Sequence, residues 1–235
     1  PIERYDPQRF RRRTPSWECF WNGAVRILWG AFKKLVIAAR IGVITSAIAA
    51  DTEQYRGLFA LSAMLLYSVQ LYADFSGGID MVLGISGIFG VPLSENFDVP
   101  YFAESFREFW RRWHMTLGGW LREYIYIPLG GNRKGKLRKL LNLVITFLVS
   151  GLWHGAHYLL WGALNGLFVA CGEKFKTKWK ALNRVLMFLA VSLLWSFFVW
   201  PATVTALKMV ASVFTQFNGA AFVAGIGKLG LTGGD

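Results

Sequence analysis

Two histidines in a long stretch without charged side chains are the residues of this sequence best suited to proton chemistry. His154 and His157 lie within residues 140–172, which contain no Asp, Glu, Lys or Arg. A neutral imidazole, with a pKa of about 6.5, accepts a proton readily at physiological pH. His154 could therefore deprotonate a hydroxyl group for attack on an ester or thioester carbonyl. It could equally be a structural histidine inside a helical bundle, and the spacing alone favours neither role.

Other polar residues suggest weaker hypotheses. His157 follows His154 by three positions, so both could share a helical face, but no third metal ligand is evident nearby and no metal site is predicted. His114 precedes His154 by 40 residues, and its position in a Trp- and Arg-rich segment favours an interfacial role. Asp74 is expected to cap a helix or to pair with an arginine. No G-x-S-x-G elbow, phosphate-binding loop or dinucleotide fingerprint is present.

The composition predicts an all-α integral membrane protein. Of the 235 residues, 54% are hydrophobic and only 17% are charged, and soluble domains rarely combine the two. Several apolar stretches approach the roughly 20 residues that a spanning helix needs. The alternative is a large soluble helical protein with a buried core. Cys19 and Cys171 are isolated, so no disulfide framework or CxxC site is expected.

The net charge of +12 comes from clustered basic residues. Under the positive-inside rule, such clusters next to apolar stretches mark cytoplasmic loops. Anionic headgroups of membrane lipids are the expected partners of these charges, and no nucleic-acid-binding module accompanies them. The three clusters are Arg9 with Arg11–Arg13, Arg133–Lys139, and Lys174–Arg184.

The apolar periodicity predicts several helical segments. Residues 23–50 carry four basic side chains and favour an interfacial or tilted helix. Residues 57–73 predict a helix that is interrupted at residues 74–78 and resumes over residues 79–91, before Pro92. Residues 185–200 predict a further apolar helix that stops before Pro201.

Two segments between these helices position the histidines. Residues 104–124 predict one amphipathic helix, with aromatic residues on one side and most of the charged residues on the other. Residues 140–173 predict a hairpin whose arms of about 24 Å are shorter than the bilayer core of about 30 Å. Its tip, Ser150–Gly155, is therefore expected within the membrane region. Broken backbone at that depth is tolerated only in a protein interior or beside a wet cavity.

Several motifs together resemble the membrane-bound O-acyltransferase family. The resemblance is greatest to the bacterial branch that contains the alginate O-acetylation membrane protein and the teichoic acid D-alanine transfer protein. The motifs that carry it are Phe109–Leu117, Tyr126–Asn132, Ser150–Gly155, Tyr72–Gly77, Pro92–Phe97 and Pro1–Tyr5.

This resemblance implies a single domain over residues 1–235: a multi-helix membrane bundle with a central cavity, short or re-entrant hairpins and amphipathic interfacial helices. It implies that the chain is a fragment lacking N-terminal helices and the C-terminal end. By the family pattern, His154 matches the active-site histidine and His114 the second functional histidine. Asn165 departs from the branch pattern, in which a histidine is common at that position, and this leaves its role open.

The activity implied is acyl transfer, most simply of an acetyl group, at a multi-pass protein of the bacterial cytoplasmic membrane. No bound cofactor is expected, and the acyl donor would be acetyl-CoA or an acyl carrier protein thioester. The acceptor would be a hydroxyl of an exported polysaccharide, a cell-wall polymer or a partner protein. The expected protein partner is an extracytoplasmic SGNH-type acyltransferase or a carrier protein. The alternative is a non-catalytic membrane scaffold or transporter with a histidine-lined polar path.

Overall fold

The computed structural model describes residues 16–91, 93–172 and 176–229. Apart from one isolated bridge, these residues form no β-structure, which confirms the all-α prediction. Pro1–Tyr5, Arg9–Arg13, Pro92 and Lys174, to which the sequence assigned motifs or charge clusters, lie outside the described residues. The helices are α1 (Trp17–Ala31), α2 (Ala39–Ala50), α3 (Leu58–Ile88), α4 (Phe106–Arg112), α5 (Met115–Leu121), α6 (Gly135–His154), α7 (Leu159–Cys171), α8 (Lys180–Leu194), α9 (Ser196–Val199), α10 (Thr203–Thr215) and α11 (Gly219–Ile226).

Two helical stretches in the described ranges are long and apolar enough to cross a membrane. They are Leu58–Ile88 and Lys180–Val199, and the second confirms the helix predicted to stop before Pro201. A third span is formed if α10 and α11, which meet at a bend of 119°, cross together. The protein is therefore a membrane protein. The stretch Ala156–Cys171 is apolar but shorter, as expected for one arm of a short hairpin.

The chain divides into two compact units, Pro1–Ile41 with Val69–Asn96 and Gly42–Ser68 with Phe97–Asp235. In the first unit, α1 packs closely against the second half of α3. A Cβ atom added at Gly84 would lie 2.6 Å from the carbonyl oxygen of Gly23, and one added at Gly77 would lie 2.7 Å from that of Gly30. The helix break predicted at residues 74–78 is wrong, because Gly77 serves this close approach within a continuous helix.

Opposite charges compensate one another within the first unit. The Asp80 carboxylate pairs with Arg26, at 2.9 Å, and with Lys33, whose ammonium also donates to the Ser76 hydroxyl at 2.8 Å. Arg26 also pairs with Glu95. Lys33 belongs to a π-helical segment, Phe32–Ala38, that joins α1 to α2.

Asp74 does not cap a helix, contrary to the first of the two roles expected for it. It lies inside α3 and pairs with Lys34 rather than with an arginine. This pair is more exposed than that of Lys33 with Asp80: its side chains are 40% and 49% exposed, against 11% and 17%.

The second unit contains the hairpin predicted around His154. Helix α6 ends at His154, and Gly155 follows with φ 137° and ψ 152°, a conformation that side chains other than hydrogen rarely permit. A short 3₁₀ turn, Ala156–Tyr158, then leads into α7. The turn falls at the end of the predicted tip; the depth of the tip in a membrane stays a prediction.

The two arms of this hairpin pack closely through glycines. A Cβ atom at Gly162 would lie 2.3 Å from the carbonyl oxygen of Phe147, and one at Gly166 would lie 2.8 Å from Cα of Val144. The glycines therefore determine how α6 is oriented against α7.

The prediction of one amphipathic helix over residues 104–124 is wrong. The segment forms α4, a break at Trp113–His114, α5, and a π-helical turn at Arg122–Tyr126. At the break, Phe97 and Trp113 form an antiparallel bridge, and the Asp98 N–H donates to the carbonyl oxygen of Arg112 at 3.0 Å. The helical periodicity of the aromatic residues continues across the break, so the sequence pattern did not reveal it.

The two Asp–Lys pairs on α3 should differ in their effect on stability. Asp80→Asn should lower the free energy of unfolding by about 3 kcal/mol, because it leaves Lys33 as an uncompensated, largely buried cation. Asp74→Asn, on the same helix, should cost less than about 1 kcal/mol because its pair is exposed. Unfolding titrations of both variants in detergent micelles measure the difference. In the double variant Lys33→Gln/Asp80→Asn the loss in the free energy of unfolding should be smaller than the sum of the losses in the two single variants. Equal losses in Asp80→Asn and Asp74→Asn would contradict the stabilising role of the Asp80 pairs.

Candidate active site

A cavity of about 520 Å³ lies in the second unit, between α4, α5, α6 and the loop that precedes α6. Its wall combines aromatic and aliphatic side chains with arginine and lysine, and it contains no Asp or Glu. A concave apolar site with a few converging polar groups is the usual form of a small-molecule site. The charged residues in the wall are Arg107, Arg111, Arg122 and Lys139, and its histidine is His114.

Helix α4 contributes one face to this cavity. Arg107, Trp110 and Arg111 follow the spacing i, i+3, i+4, which places residues on one side of a helix. His114 lines the same cavity from the break that follows the helix. Ser105 caps the helix by accepting a hydrogen bond from the N–H of Glu108. The sequence reading separated Trp110 from the two arginines by polarity, whereas the structure brings all three to the same cavity.

His114 stands in a strained backbone conformation at the end of this face. Its φ of 46° and ψ of 56° lie in the left-handed region, and Val99 is the only other non-glycine residue with positive φ in the described ranges. Such strain costs about 1–3 kcal/mol and concentrates at functional sites. His114 also lines the cavity, so the strained backbone and the cavity wall coincide at this residue.

Helix α6 contributes the opposite face. Lys139, Leu143, Phe147 and Ser150 line the cavity, and His154 lies one turn beyond Ser150 on the same side of the helix. The rise from Lys139 to His154 is about 22 Å at 1.5 Å per residue. One helix thus carries a cation at one end of the site and an imidazole at the other.

His154 is exposed and surrounded by aromatic rings rather than lining the cavity itself. The centroid of its imidazole lies 5.7 Å from that of Trp161 and 5.6 Å from that of Phe198, both in edge-on contact. Trp153 lies at 4.9 Å and Tyr158 at 6.1 Å. No described residue forms a hydrogen bond with the imidazole, so its nitrogens are available to a substrate.

The two histidines are close enough to interact electrostatically. Burial lowers the pKa of the His114 imidazole below its ordinary value of 6.5, and the positive charge of a protonated His154 lowers it further. His114 is therefore neutral at physiological pH. A neutral imidazole donates one hydrogen bond and accepts another, so it can orient a polar substrate group without adding charge.

The cations in the cavity wall lack carboxylate partners among the described residues. No ion pair is formed there by Arg107, Arg111, Arg122 or Lys139, whereas the neighbouring Arg112 pairs with Glu108. Four cations directed to one cavity without compensation favour an anionic ligand.

The loop before α6 completes the wall with Tyr126 and Asn132. It is held by Asn142, a fully buried residue of α6 whose amide donates to the carbonyl oxygen of Gly131 at 2.8 Å. The Gly131 N–H in turn donates to the carbonyl oxygen of Tyr126 at 2.9 Å. The Tyr126–Asn132 motif thus acts as a folded turn anchored on the same helix that carries His154.

Sequence reasoning missed the buried indoles behind His154. Trp161 is 1% exposed and Trp195 is 3% exposed, and neither indole N–H has a partner among the described residues. A buried donor without a partner is rare and often marks a site that accepts a ligand or water. The Trp-rich composition was visible, but which indoles become buried follows only from packing.

Neither of the other sequence candidates lines the cavity. His157 is exposed in the turn after His154, and Asp74 lies in the first unit. In the part of the chain that the structure describes, no three His, Cys, Asp or Glu side chains are grouped so as to hold a metal ion.

Comparisons with a family model and with individual proteins agree on one family. The family model described as MBOAT, membrane-bound O-acyltransferase family, matches residues 1–215. The chain is 39% identical over 214 residues to the probable alginate O-acetylase of Pseudomonas syringae pv. tomato, covering 88% of this chain and 41% of that protein. It is 38% identical to the peptidoglycan O-acetyltransferase of Helicobacter pylori, covering 77% of this chain and 36% of that protein.

A more distant relative is the teichoic acid D-alanyltransferase of Bacillus subtilis. The identity is 27% over 216 residues, covering 84% of this chain and 55% of that protein. The chain thus spans between about a third and just over half of the length of these three relatives. The two acetylating relatives are more similar to this chain than the D-alanyl-transferring one.

The electrostatic coupling of the two histidines has a direct chemical test. Diethyl pyrocarbonate modifies neutral imidazole, so the modification of His114 should reach half its maximal rate below pH 6.5. In His154→Gln this midpoint should move upward, because the second positive charge is gone, but it should stay below 6.5 because His114 remains buried. Mass spectrometry of the His114 peptide measures the rate. The detergent-unfolded protein provides the reference near 6.5, and an unchanged midpoint in His154→Gln would contradict the coupling.

Proposed function

The chain belongs to the membrane-bound O-acyltransferase family, and we propose on that premise that it forms the catalytic part of a membrane O-acyltransferase. It transfers an acetyl group from a cytoplasmic thioester to a hydroxyl of an exported polysaccharide, a cell-wall polymer or a partner protein. One observation carries the proposal: a cavity with His114 and four unpaired cations in its wall lies along the helical face that continues to His154.

The donor proposed is acetyl-CoA or the acetylated phosphopantetheine arm of a carrier protein. Both have phosphate at one end and a thioester at the other, joined by a long, thin, uncharged arm. Arg107, Arg111 and Lys139 suit the phosphates, because guanidinium and ammonium groups form strong charge-assisted hydrogen bonds with them. Basic cytoplasmic loops follow from membrane topology alone, but cations inside an apolar cavity do not.

His154 is proposed as the general base. Its imidazole takes the proton of the acceptor hydroxyl while the hydroxyl oxygen bonds to the thioester carbonyl carbon. The tetrahedral intermediate then collapses, the carbon–sulfur bond breaks, and the leaving thiolate takes the proton back from the imidazolium. His114, neutral and half-buried, orients the thioester by hydrogen bonding. The products are the acetyl ester and the free thiol.

The acceptor and partners are proposed from the relatives. Proteins named alginate O-acetylase and peptidoglycan O-acetyltransferase resemble this chain most among those compared above. An exported glycan is therefore the acceptor class, reached directly or through an extracytoplasmic SGNH-type acyltransferase. The whole protein is proposed to cross the bacterial cytoplasmic membrane several times, with the loops around Arg133–Lys139 and Lys174–Arg184 on the cytoplasmic side.

The alternative reading as a transporter with a histidine-lined path receives less support. Proton relays through membranes depend on chains of acidic and histidine side chains. The cavity wall carries cations and no acidic side chain, and residues 140–172 contain none. This charge distribution suits the binding of an anion better than the passage of protons.

The catalytic role of His154 is tested in the full-length protein reconstituted in liposomes with its donor and partner proteins. Acetyl transfer should fall by about 10²–10⁴-fold in both His154→Ala and His154→Gln, because an amide cannot accept the proton. His157→Gln, three residues away in the exposed turn, is the matched control and should retain activity. Full transfer by a well-folded His154→Gln would show that the histidine is structural.

The role of the cavity cations is tested by comparing two donors. Arg111→Gln and Lys139→Gln should each raise KM for acetyl-CoA by about tenfold, because a charge-assisted hydrogen bond to phosphate is lost. KM for S-acetyl-N-acetylcysteamine, a thioester without phosphate, should not change. Lys134→Gln removes a charge that does not line the cavity and serves as control. Equal effects on both donors would rule out phosphate recognition.

A further inference from the structure

Asn165 connects the cavity wall to the helix hairpin by two hydrogen bonds. Its side-chain oxygen accepts a hydrogen bond from the indole N–H of Trp110 at 3.1 Å, and its amide donates to the carbonyl oxygen of Trp161 at 2.9 Å. Asn165 is 2% exposed. Both ends of the buried amide are therefore satisfied, and the indole of Trp110 is held in one orientation.

Trp110 occupies a special position in the wall. It lines the cavity, and its ring makes edge-on contacts with Phe147 at 5.2 Å and Trp161 at 5.7 Å. Trp161 does not line the cavity but contacts the imidazole of His154, also at 5.7 Å. Trp161 thus contacts both Trp110, which lines the cavity, and the proposed general base.

A fixed Trp110 indole limits the size of the acyl group that the cavity can hold beside it. The cations of the wall attract the phosphate end of a donor, so its uncharged acyl end is left to pack against the aromatic and aliphatic part of the wall. An indole held by a buried hydrogen bond cannot rotate away to admit additional methylene groups without leaving Asn165 unpaired, which is unfavourable in a dry site.

We propose that Asn165 is a positioning residue that holds Trp110 as the wall against which the acyl group ends, and that this pair restricts the enzyme to short acyl groups such as acetyl. The inference rests on the proposed function and adds the determinant of its acyl specificity. Trp110 is the specificity-determining surface, and Asn165 acts only through it.

The experiment compares acetyl-, butyryl- and hexanoyl-CoA as donors for the full-length protein in liposomes. Wild-type protein should prefer acetyl. Trp110→Ala and Asn165→Leu should reduce the ratio of kcat/KM for acetyl to that for hexanoyl by tenfold or more, since pockets discriminate by about 10–200-fold per methylene. If the role of Asn165 were merely structural, Asn165→Leu would lower kcat/KM for all three donors together and leave the ratio unchanged.

Rescue by a conservative variant isolates the hydrogen bond. Asn165→His offers an imidazole nitrogen that can accept the indole N–H, so it should keep the wild-type ratio. In a Trp110→Phe background, which lacks the N–H, Asn165→Leu should cause little further change in the ratio. Trp120→Ala, half-exposed in the same segment and absent from the cavity wall, is the control and should behave like wild type.

A binding measurement separates this inference from the proposed function. Thioether analogues of acetyl- and hexanoyl-CoA cannot react, so their affinities, measured by calorimetry, report the wall without turnover. Suppose that the wild-type protein transfers no acyl group but binds the short analogue preferentially, and that Trp110→Ala and Asn165→Leu abolish this preference. That result would overturn the proposed function and support the role of Trp110 and Asn165 in acyl selection. If the wild-type protein is active and both variants keep its ratio of kcat/KM for acetyl-CoA to that for hexanoyl-CoA, the inference about Trp110 and Asn165 is overturned and the proposed function is not. The same holds if the wild-type protein uses hexanoyl-CoA as well as acetyl-CoA.

Discussion

The close contact of α6 with α7 is the constraint on which the candidate site depends. Gly162 and Gly166 let the two backbones approach to distances that a Cβ atom would forbid. This contact turns the face of α6 that carries Lys139 and His154 toward α4, and it brings Asn165 within reach of Trp110. Dense packing leaves little freedom to rotate either helix, so His154, the cavity cations and Trp110 are positioned together.

Charge is handled in opposite ways in the two units. In the first unit, Asp80 is shared between Arg26 and Lys33, so the cations on α1 and the adjoining π-helical segment are neutralised where they lie. Around the cavity of the second unit, four cations have no carboxylate partner in the described residues. Uncompensated charge in an apolar wall is costly unless a ligand neutralises it, and this contrast supports the proposal that the cavity binds an anion.

The break between α4 and α5 shows how local strain serves the site. The Trp113 N–H still donates to the carbonyl oxygen of Phe109 and closes α4, and the His114 carbonyl oxygen accepts the first bond of α5 from the N–H of Gly118. Between these two bonds Trp113 bridges to Phe97, and His114 adopts a left-handed conformation in the cavity wall. The sequence contains no glycine or proline at this point, so local propensity did not indicate the break. Tertiary contacts of Trp113, which packs against Phe97 and Trp195, stabilise it.

The all-helical membrane character and the hairpin around His154 could be predicted from the sequence, because hydropathy, charge clusters and the Gly-rich turn are local properties of the chain. The sequence did not determine that α3 runs unbroken, since Gly77 permits a close approach that is invisible without its neighbour Gly30. Nor did it reveal that Arg111, Trp110 and Lys139 line one cavity, or that Asn165 holds Trp110. Those relations join residues far apart in the chain, and only the packing of α4, α6 and α7 brings them together.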